Sequence, residues 1–231
     1  MKTKIDWREI RGDTRKRTYF LARLEVAWIK KIAPRVPFFI ETYHLTLSSI
    51  FFSLGIVLFS CLAGQNKIWL LAVSFFILFH YLTDALDGEV GRLRNTGLIS
   101  WGFYADHFLD MLTVIAIFLG YFFIYPEYGL LFYLNATLLL LHFGNGLLVC
   151  IASGNYSTSG TFGIGPTELT LALLIFNLYA ALGGQANIAL IFSLSALGFF
   201  VSLFYSFITT QKKLWQTDWK KKNEKKENLS S

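Results

Sequence analysis

Hydrophobic residues fill six long blocks of the chain, separated by short polar stretches. The blocks run over residues 44–64, 68–86, 98–124, 128–152, 166–183 and 187–209. Each is close to the roughly 20 residues that an α-helix needs to cross about 30 Å of hydrocarbon. The turns Gly64-Gln-Asn-Lys67, Tyr125-Pro-Glu127 and Gly183-Gly-Gln-Ala-Asn187 fall on one side of the resulting bundle. The other side carries a turn with Arg92 and Arg94 and the stretch 153–165, whose Gly, Ser and Thr content predicts a mobile loop. Ahead of the blocks, Phe20, Leu24, Ala27 and Trp28 recur at helical spacing, with Arg17, Arg23, Glu25, Lys30 and Lys31 around them. That pattern suits an amphipathic helix in the head-group plane, and a solvated helix packed on its own domain is the alternative. Pro34 and Pro37 end it. The expected fold is all-α, an integral membrane bundle of six transmembrane helices preceded by an amphipathic interfacial helix. It divides into an N-terminal segment 1–36, a membrane domain 37–210 and a basic tail 211–231, with disorder expected beyond Trp219.

Composition strengthens the membrane reading. The 231 residues are 54% hydrophobic and 17% aromatic, more than a soluble core of this size can hide. The stretch from Met1 to Arg17 is charged, has no apolar run and does not read as a signal peptide. Of the 21 Lys and Arg residues, all but Lys67 fall on the face that holds both termini. The positive-inside rule therefore predicts that both termini and the Arg92 turn are cytoplasmic. The basic blocks suit anionic lipid head groups better than nucleic acid. Cys61 and Cys150 fall near opposite faces, so no disulfide is expected, and no Cys/His spacing suggests zinc.

Against this apolar background stands Asp84-Ala-Leu-Asp87-Gly88-Glu89-Val90-Gly91-Arg92, followed after nine residues by Gly102-Phe-Tyr-Ala-Asp106-His-Phe-Leu-Asp110. Ionised carboxylates are costly near hydrocarbon and mark a functional site. On a helix, Asp84 and Asp87 are i,i+3 and Asp106 and Asp110 are i,i+4, so each pair shares a face. Two such helices side by side turn four carboxylates toward each other, and a divalent cation or two would relieve their repulsion. Hard oxygen ligands select Mg²⁺ or Mn²⁺. Mg²⁺ commonly works alongside substrate phosphates, which points to phosphoryl-type transfer. Gly88 and Gly91 would let a pyrophosphate approach the backbone, and Arg92 is suited to bidentate phosphate binding. Glu168, just after Pro166 in the fifth block, reads equally as a substrate contact or as helix-start chemistry. His107 and Arg94 are further candidate contacts to substrate. His80 lies one turn before Asp84. His142, Asn145 and Asn177 are expected to bond between helices, and Gly144 and Gly146 to permit close packing.

These residues resemble the signature of the CDP-alcohol phosphotransferases, Asp-x2-Asp-Gly-x2-Ala-Arg-x8-Gly-x3-Asp-x3-Asp. The match falls on Asp84, Asp87, Gly88, Arg92, Gly102, Asp106 and Asp110. Gly91 replaces the usual Ala, and the spacer after Arg92 has nine residues instead of eight, the extra one expected to be absorbed in the loop. The family's Pro-Asn ahead of a Thr in the first span is missing, and Thr46 is the candidate for that Thr. The resemblance implies a homodimeric six-helix membrane enzyme. Asp84, Asp87, Asp106 and Asp110 would hold two Mg²⁺ or Mn²⁺ ions. Gly88, Gly91 and Arg92 would receive the CDP-linked donor, and Asp110 would take the proton of an alcohol or lipid acceptor as CMP leaves. The donor is either CDP-diacylglycerol or a CDP-linked polar alcohol such as CDP-ethanolamine or CDP-choline. A transporter or channel with an acidic cation path is the rival reading; it predicts acids staggered through the membrane depth, whereas these four lie near one face.

Overall fold

A computed structural model describes residues 19–153, 163–184 and 187–230, with side chains through Glu224. Most of the 153–165 loop and the polar segment before Tyr19 lie outside the described residues, so the expectations placed on them are not addressed. The described chain is helical throughout, in the order α1 (Ala22–Ile32), α2 (Thr42–Gln65), α3 (Leu70–Arg94), α4 (Ile99–Ile124), α5 (Gly129–Ser153), α6 (Pro166–Ala181) and α7 (Ile188–Ser230). Single 3₁₀ turns precede α3 and α5 and follow α1.

The apolar blocks become α2 to α7. Five of these helices are long and apolar enough to span a bilayer. The exception, α6, has 16 residues and a length of about 24 Å at 1.5 Å per residue. The protein is an integral membrane protein with an all-α bundle.

The long helices alternate in direction. Thr42 of α2 meets Asp87 near the end of α3, and Tyr81 of α3 meets Thr167 at the start of α6. At the far end, Lys67 Nζ donates to the Ile124 carbonyl at 2.9 Å. The site end therefore gathers the start of α2, the end of α3, the start of α4 and the start of α6.

Packing divides by depth. At the far end, Tyr121, Phe132 and Phe192 join α4, α5 and α7 in a buried aromatic cluster, with the Phe132 and Phe192 rings edge-on at 4.8 Å. Ile56, Val73, Ile77 and Ala116 join α2, α3 and α4 at mid-depth. Ile29, Ala33, Leu45, Leu86 and Val90 seat α1 on α2 and α3 at the site end.

Polar side chains cross the apolar interior as expected. Tyr121 donates to Asn177 at 2.8 Å, a ring nitrogen of His142 bonds the Phe199 carbonyl at 3.0 Å, and Asn145 donates to Ser206 at 2.9 Å. The expectation for Gly144 and Gly146 is not met, because a Cβ at either would meet nothing within 4 Å. Close helix approach occurs instead at Gly120, where a Cβ would come within 2.4 Å of Ser60 Oγ.

The tail also departs from expectation. α7 continues unbroken for 43 residues to Ser230, past the point where order was expected to end. Extending an existing helix avoids the cost of nucleation, and Lys, Glu and Gln favour the helix. Trp215 and Trp219 stack along this extension at 6.2 Å.

α1 forms where expected, but its buried face differs from the apolar stripe in the sequence. Ala22, Glu25 and Ile29 are buried, while Phe20 and Leu24 point outward, 79% and 67% exposed. α1 is thus bound to the bundle and keeps Phe20 and Leu24 outward.

Candidate active site

Helical spacing sets the site's first approximation, and the packing of α3 beside α4 through α2 sets the rest. Asp84 on α3 and Asp106 and Asp110 on α4 each place a carboxylate oxygen within 4.8 Å of the other two. All three are half-buried. α3 ends at Asn95 in the left-handed conformation, φ +50°, and Gly97 also has positive φ, +71°. The Thr96 N–H returns to the Gly91 carbonyl at 3.2 Å. Across this tight turn, the face of α4 that carries Asp106 and Asp110 meets Asp84.

Asp87 is held differently. It is buried, and its Oδ2 accepts from Thr46 Oγ1 at 2.7 Å. Thr42 Oγ1 donates to the Asp87 carbonyl at 2.9 Å. Two threonines one turn apart on α2 thus hold this residue by side chain and backbone. Thr46 was visible in the sequence as a family-like threonine, but Thr42 gave no signal.

Behind Asp110 lies a small polar network. His80 Nε2 is 3.8 Å from Asp110 Oδ1 and 2.8 Å from Thr113 Oγ1, which in turn lies 2.8 Å from Ser53 Oγ. His107 does not reach out from the site. It is buried, its Nδ1 donates to the Phe103 carbonyl at 2.8 Å, and Asp106 Oδ2 lies 3.6 Å from the same nitrogen.

The basic candidates separate cleanly. Arg92 is half-exposed and pairs with Glu89 one turn earlier, so its guanidinium stays at the open end of α3. Arg94 turns away into the linker before α2. It donates to the carbonyls of Val36 at 2.9 Å, Pro37 at 3.1 Å and Ile40, and lies 3.8 Å from Glu41. Its geometry is that of a clamp on residues 36–41.

The glycines also divide. A Cβ at Gly88 would first meet the mobile end of Arg92, at 3.6 Å, so the protein itself leaves this face of α3 open. A Cβ at Gly91 would lie 3.3 Å from Thr42 Oγ1, so its small size serves the contact between α3 and α2.

Glu168 is engaged on both oxygens. It accepts from the Gly165 N–H at 2.8 Å and from the Leu21 N–H at 2.7 Å. It starts α6 and ties that helix to the entrance of α1. Glu25 was read only as one of the charges around the interfacial helix. It is buried, 5% exposed, and accepts from Tyr19 at 2.6 Å and from Thr167.

An all-helical membrane bundle thus brings three carboxylates together beside a glycine-bearing helix end. The chain belongs to the CDP-alcohol phosphatidyltransferase family, whose model matches residues 42–215, from the first residue of α2 into the extension of α7. No characterised protein and no solved structure matches the chain.

Proposed function

We propose that the protein is a metal-dependent enzyme of phospholipid synthesis that moves a substituted phosphate from a CDP-linked donor to an alcohol and releases CMP. The observation that carries this reading is the convergence of Asp84, Asp106 and Asp110 within 4.8 Å. Three like charges at that spacing repel one another, and hard carboxylate oxygens suit Mg²⁺ or Mn²⁺. Asp84, Asp87 and Asp106 would hold the ions, with Asp110 completing the second site. The hydrogen bond from Thr46 is the kind of support that orients a metal-ligating carboxylate. When bound, the ions would neutralise charge on the donor's phosphates.

The chain's own groups supply the rest. Arg92, at the open end of α3, binds the donor pyrophosphate, and the bare backbone face at Gly88 receives the nucleotide. Asp110 accepts the proton of the acceptor hydroxyl. The hydroxyl oxygen bonds to the phosphorus that carries the donor's alcohol, the phosphoanhydride bond to CMP breaks, and CMP departs with the bridging oxygen. Holding acceptor and donor in line would provide much of the acceleration. The site and both termini face the cytoplasm, consistent with all Lys and Arg but Lys67 lying on that side. The enzyme works as a homodimer, as the family resemblance implies.

Substrate choice leans toward an uncharged acceptor or a zwitterionic donor. Residues 95–210 contain no Lys or Arg, and Arg94 is committed to backbone carbonyls. A phosphorylated acceptor would find few cations beyond Arg92. The test is CMP release by the purified protein in detergent with Mg²⁺ or Mn²⁺, across a panel of CDP-alcohols and acceptors. Asp110→Asn is expected to abolish release. If no CDP-alcohol yields CMP while liposomes holding the protein show cation flux, the transporter reading replaces this one.

A further inference from the structure

The interfacial helix bears on the face of α3 that lies behind the acids. Successive residues of an α-helix are about 100° apart. Asp84 and Asp87 therefore point to one side of α3, Ala85 and Leu86 to the opposite side, and Val90 to the flank next to Asp87. α1 packs along that opposite side and flank: Ile29 and Ala33 form one buried cluster with Leu86, Val90 and Leu45, and Trp28 and Ala85 pack against it. Three carboxylates that repel each other push α3 away from α4, and α1 stands behind α3 against that push.

Polar contacts fix α1 in this place. Glu25 is 5% exposed, which is costly for a carboxylate unless hydrogen bonds compensate. Tyr19 donates to it at 2.6 Å, and Thr167 donates to the same oxygen. The Thr167 hydroxyl also lies 2.8 Å from the Tyr81 hydroxyl. Tyr81 is three residues before Asp84 on the same helix, and its ring lies 6.3 Å from that of Trp28. The chain of contacts thus runs from α1 through the start of α6 to the turn of α3 just before the first acid. Glu168 closes the same junction from the other side, through the N–H groups of Leu21 and Gly165.

We propose that Glu25 is a positioning residue of the transferase site. Through Thr167 and Tyr81 it locks α1 behind α3 and holds Asp84 at its distance from Asp106 and Asp110. The interfacial helix is then part of the catalytic framework as well as a membrane anchor. This rests on the proposed metal-dependent transfer, and its test is separable from that reading.

The experiment measures Mn²⁺ binding without substrate, by electron paramagnetic resonance, together with kcat and KM for CMP release. Glu25→Ala, Thr167→Val and Tyr81→Phe are compared with Glu25→Gln, which keeps an oxygen acceptor. Loss of a group that orients a ligand typically weakens metal binding about 10- to 100-fold. The expected result is weaker Mn²⁺ binding of that order in Glu25→Ala, smaller losses in the same direction for the other two, and recovery in Glu25→Gln. The fall in activity should lie in kcat, with little change in donor KM. Two outcomes would overturn the proposal. One is Mn²⁺ binding within about twofold of the unsubstituted protein in Thr167→Val and Tyr81→Phe, which retain the packing. The other is Glu25→Gln as impaired as Glu25→Ala. Failure of the unsubstituted protein to release CMP would sink the transfer reading, while the Mn²⁺ comparison would still decide the role of Glu25.

Discussion

Replacing Thr46 by Val tests how the structure holds Asp87. The two side chains have nearly the same shape, so the change removes a hydroxyl and little else. That hydroxyl donates to Asp87 Oδ2 at 2.7 Å, with Thr46 only 3% exposed and Asp87 only 8%. A hydrogen bond to a charged group contributes about 1.5–3 kcal/mol, and burial places this one toward the upper end. Since about 1.4 kcal/mol is a factor of ten, loss of the bond would lower kcat/KM by about 10- to 100-fold if the full effect falls on the reacting complex. Thr42→Val provides the internal comparison. It loses a bond to the neutral Asp87 carbonyl at 2.9 Å, worth about 0.5–1.5 kcal/mol. Thr46→Ser keeps the hydroxyl and should retain most activity. The assay is CMP release at saturating and limiting donor, with thermal unfolding in detergent to separate lost function from lost fold. Wild-type kinetics in Thr46→Val, or a greater loss in Thr42→Val than in Thr46→Val, would refute the claim that Thr46 holds a functional carboxylate.

Three further outcomes follow from the geometry. Arg94→Met should lower the unfolding temperature, because it removes charged donors from the Val36 and Pro37 carbonyls, yet leave donor KM within about twofold; a tenfold rise in KM would make Arg94 a phosphate ligand after all. Gly120→Leu should destabilise by about 1–3 kcal/mol or more through overpacking, since even its Cβ would lie 2.4 Å from Ser60 Oγ, whereas Gly144→Leu, in open space, should be nearly neutral in a thermal melt. Adding Mn²⁺ should raise the unfolding temperature by relieving repulsion among Asp84, Asp106 and Asp110, with about 2.7 kcal/mol available at 100 times the dissociation constant; the same shift in Asp84→Asn would place the ion elsewhere.

Much of the fold was legible because the bilayer imposes a length. Helices that cross about 30 Å of hydrocarbon must show long apolar runs, and the blocks at 44–64, 98–124 and 128–152 match α2, α4 and α5 closely at both ends. The acids were legible for a related reason. Asp84, Asp106 and Asp110 stand out against apolar surroundings, and helical spacing gives their faces. The end of α7 was less legible, because a polar Lys-rich segment can be disordered or can continue a helix that the membrane has already nucleated.

By itself the sequence determined the class of fold, the family and a set of four candidate acids, since each follows from local spacing or from the cost of a charge near hydrocarbon; that Asp84, Asp106 and Asp110 meet while Asp87 turns to Thr46 came from the packing. Tertiary structure alone decided how each polar side chain is used. Asp87 meets a threonine 41 residues away, Glu25 a threonine 142 residues away, and Glu168 a backbone N–H 147 residues away. Arg94 spends its charge on carbonyls more than 50 residues earlier. No periodicity encodes such partners. They are chosen when helices pack and each buried polar group takes the nearest donor or acceptor that the packing offers.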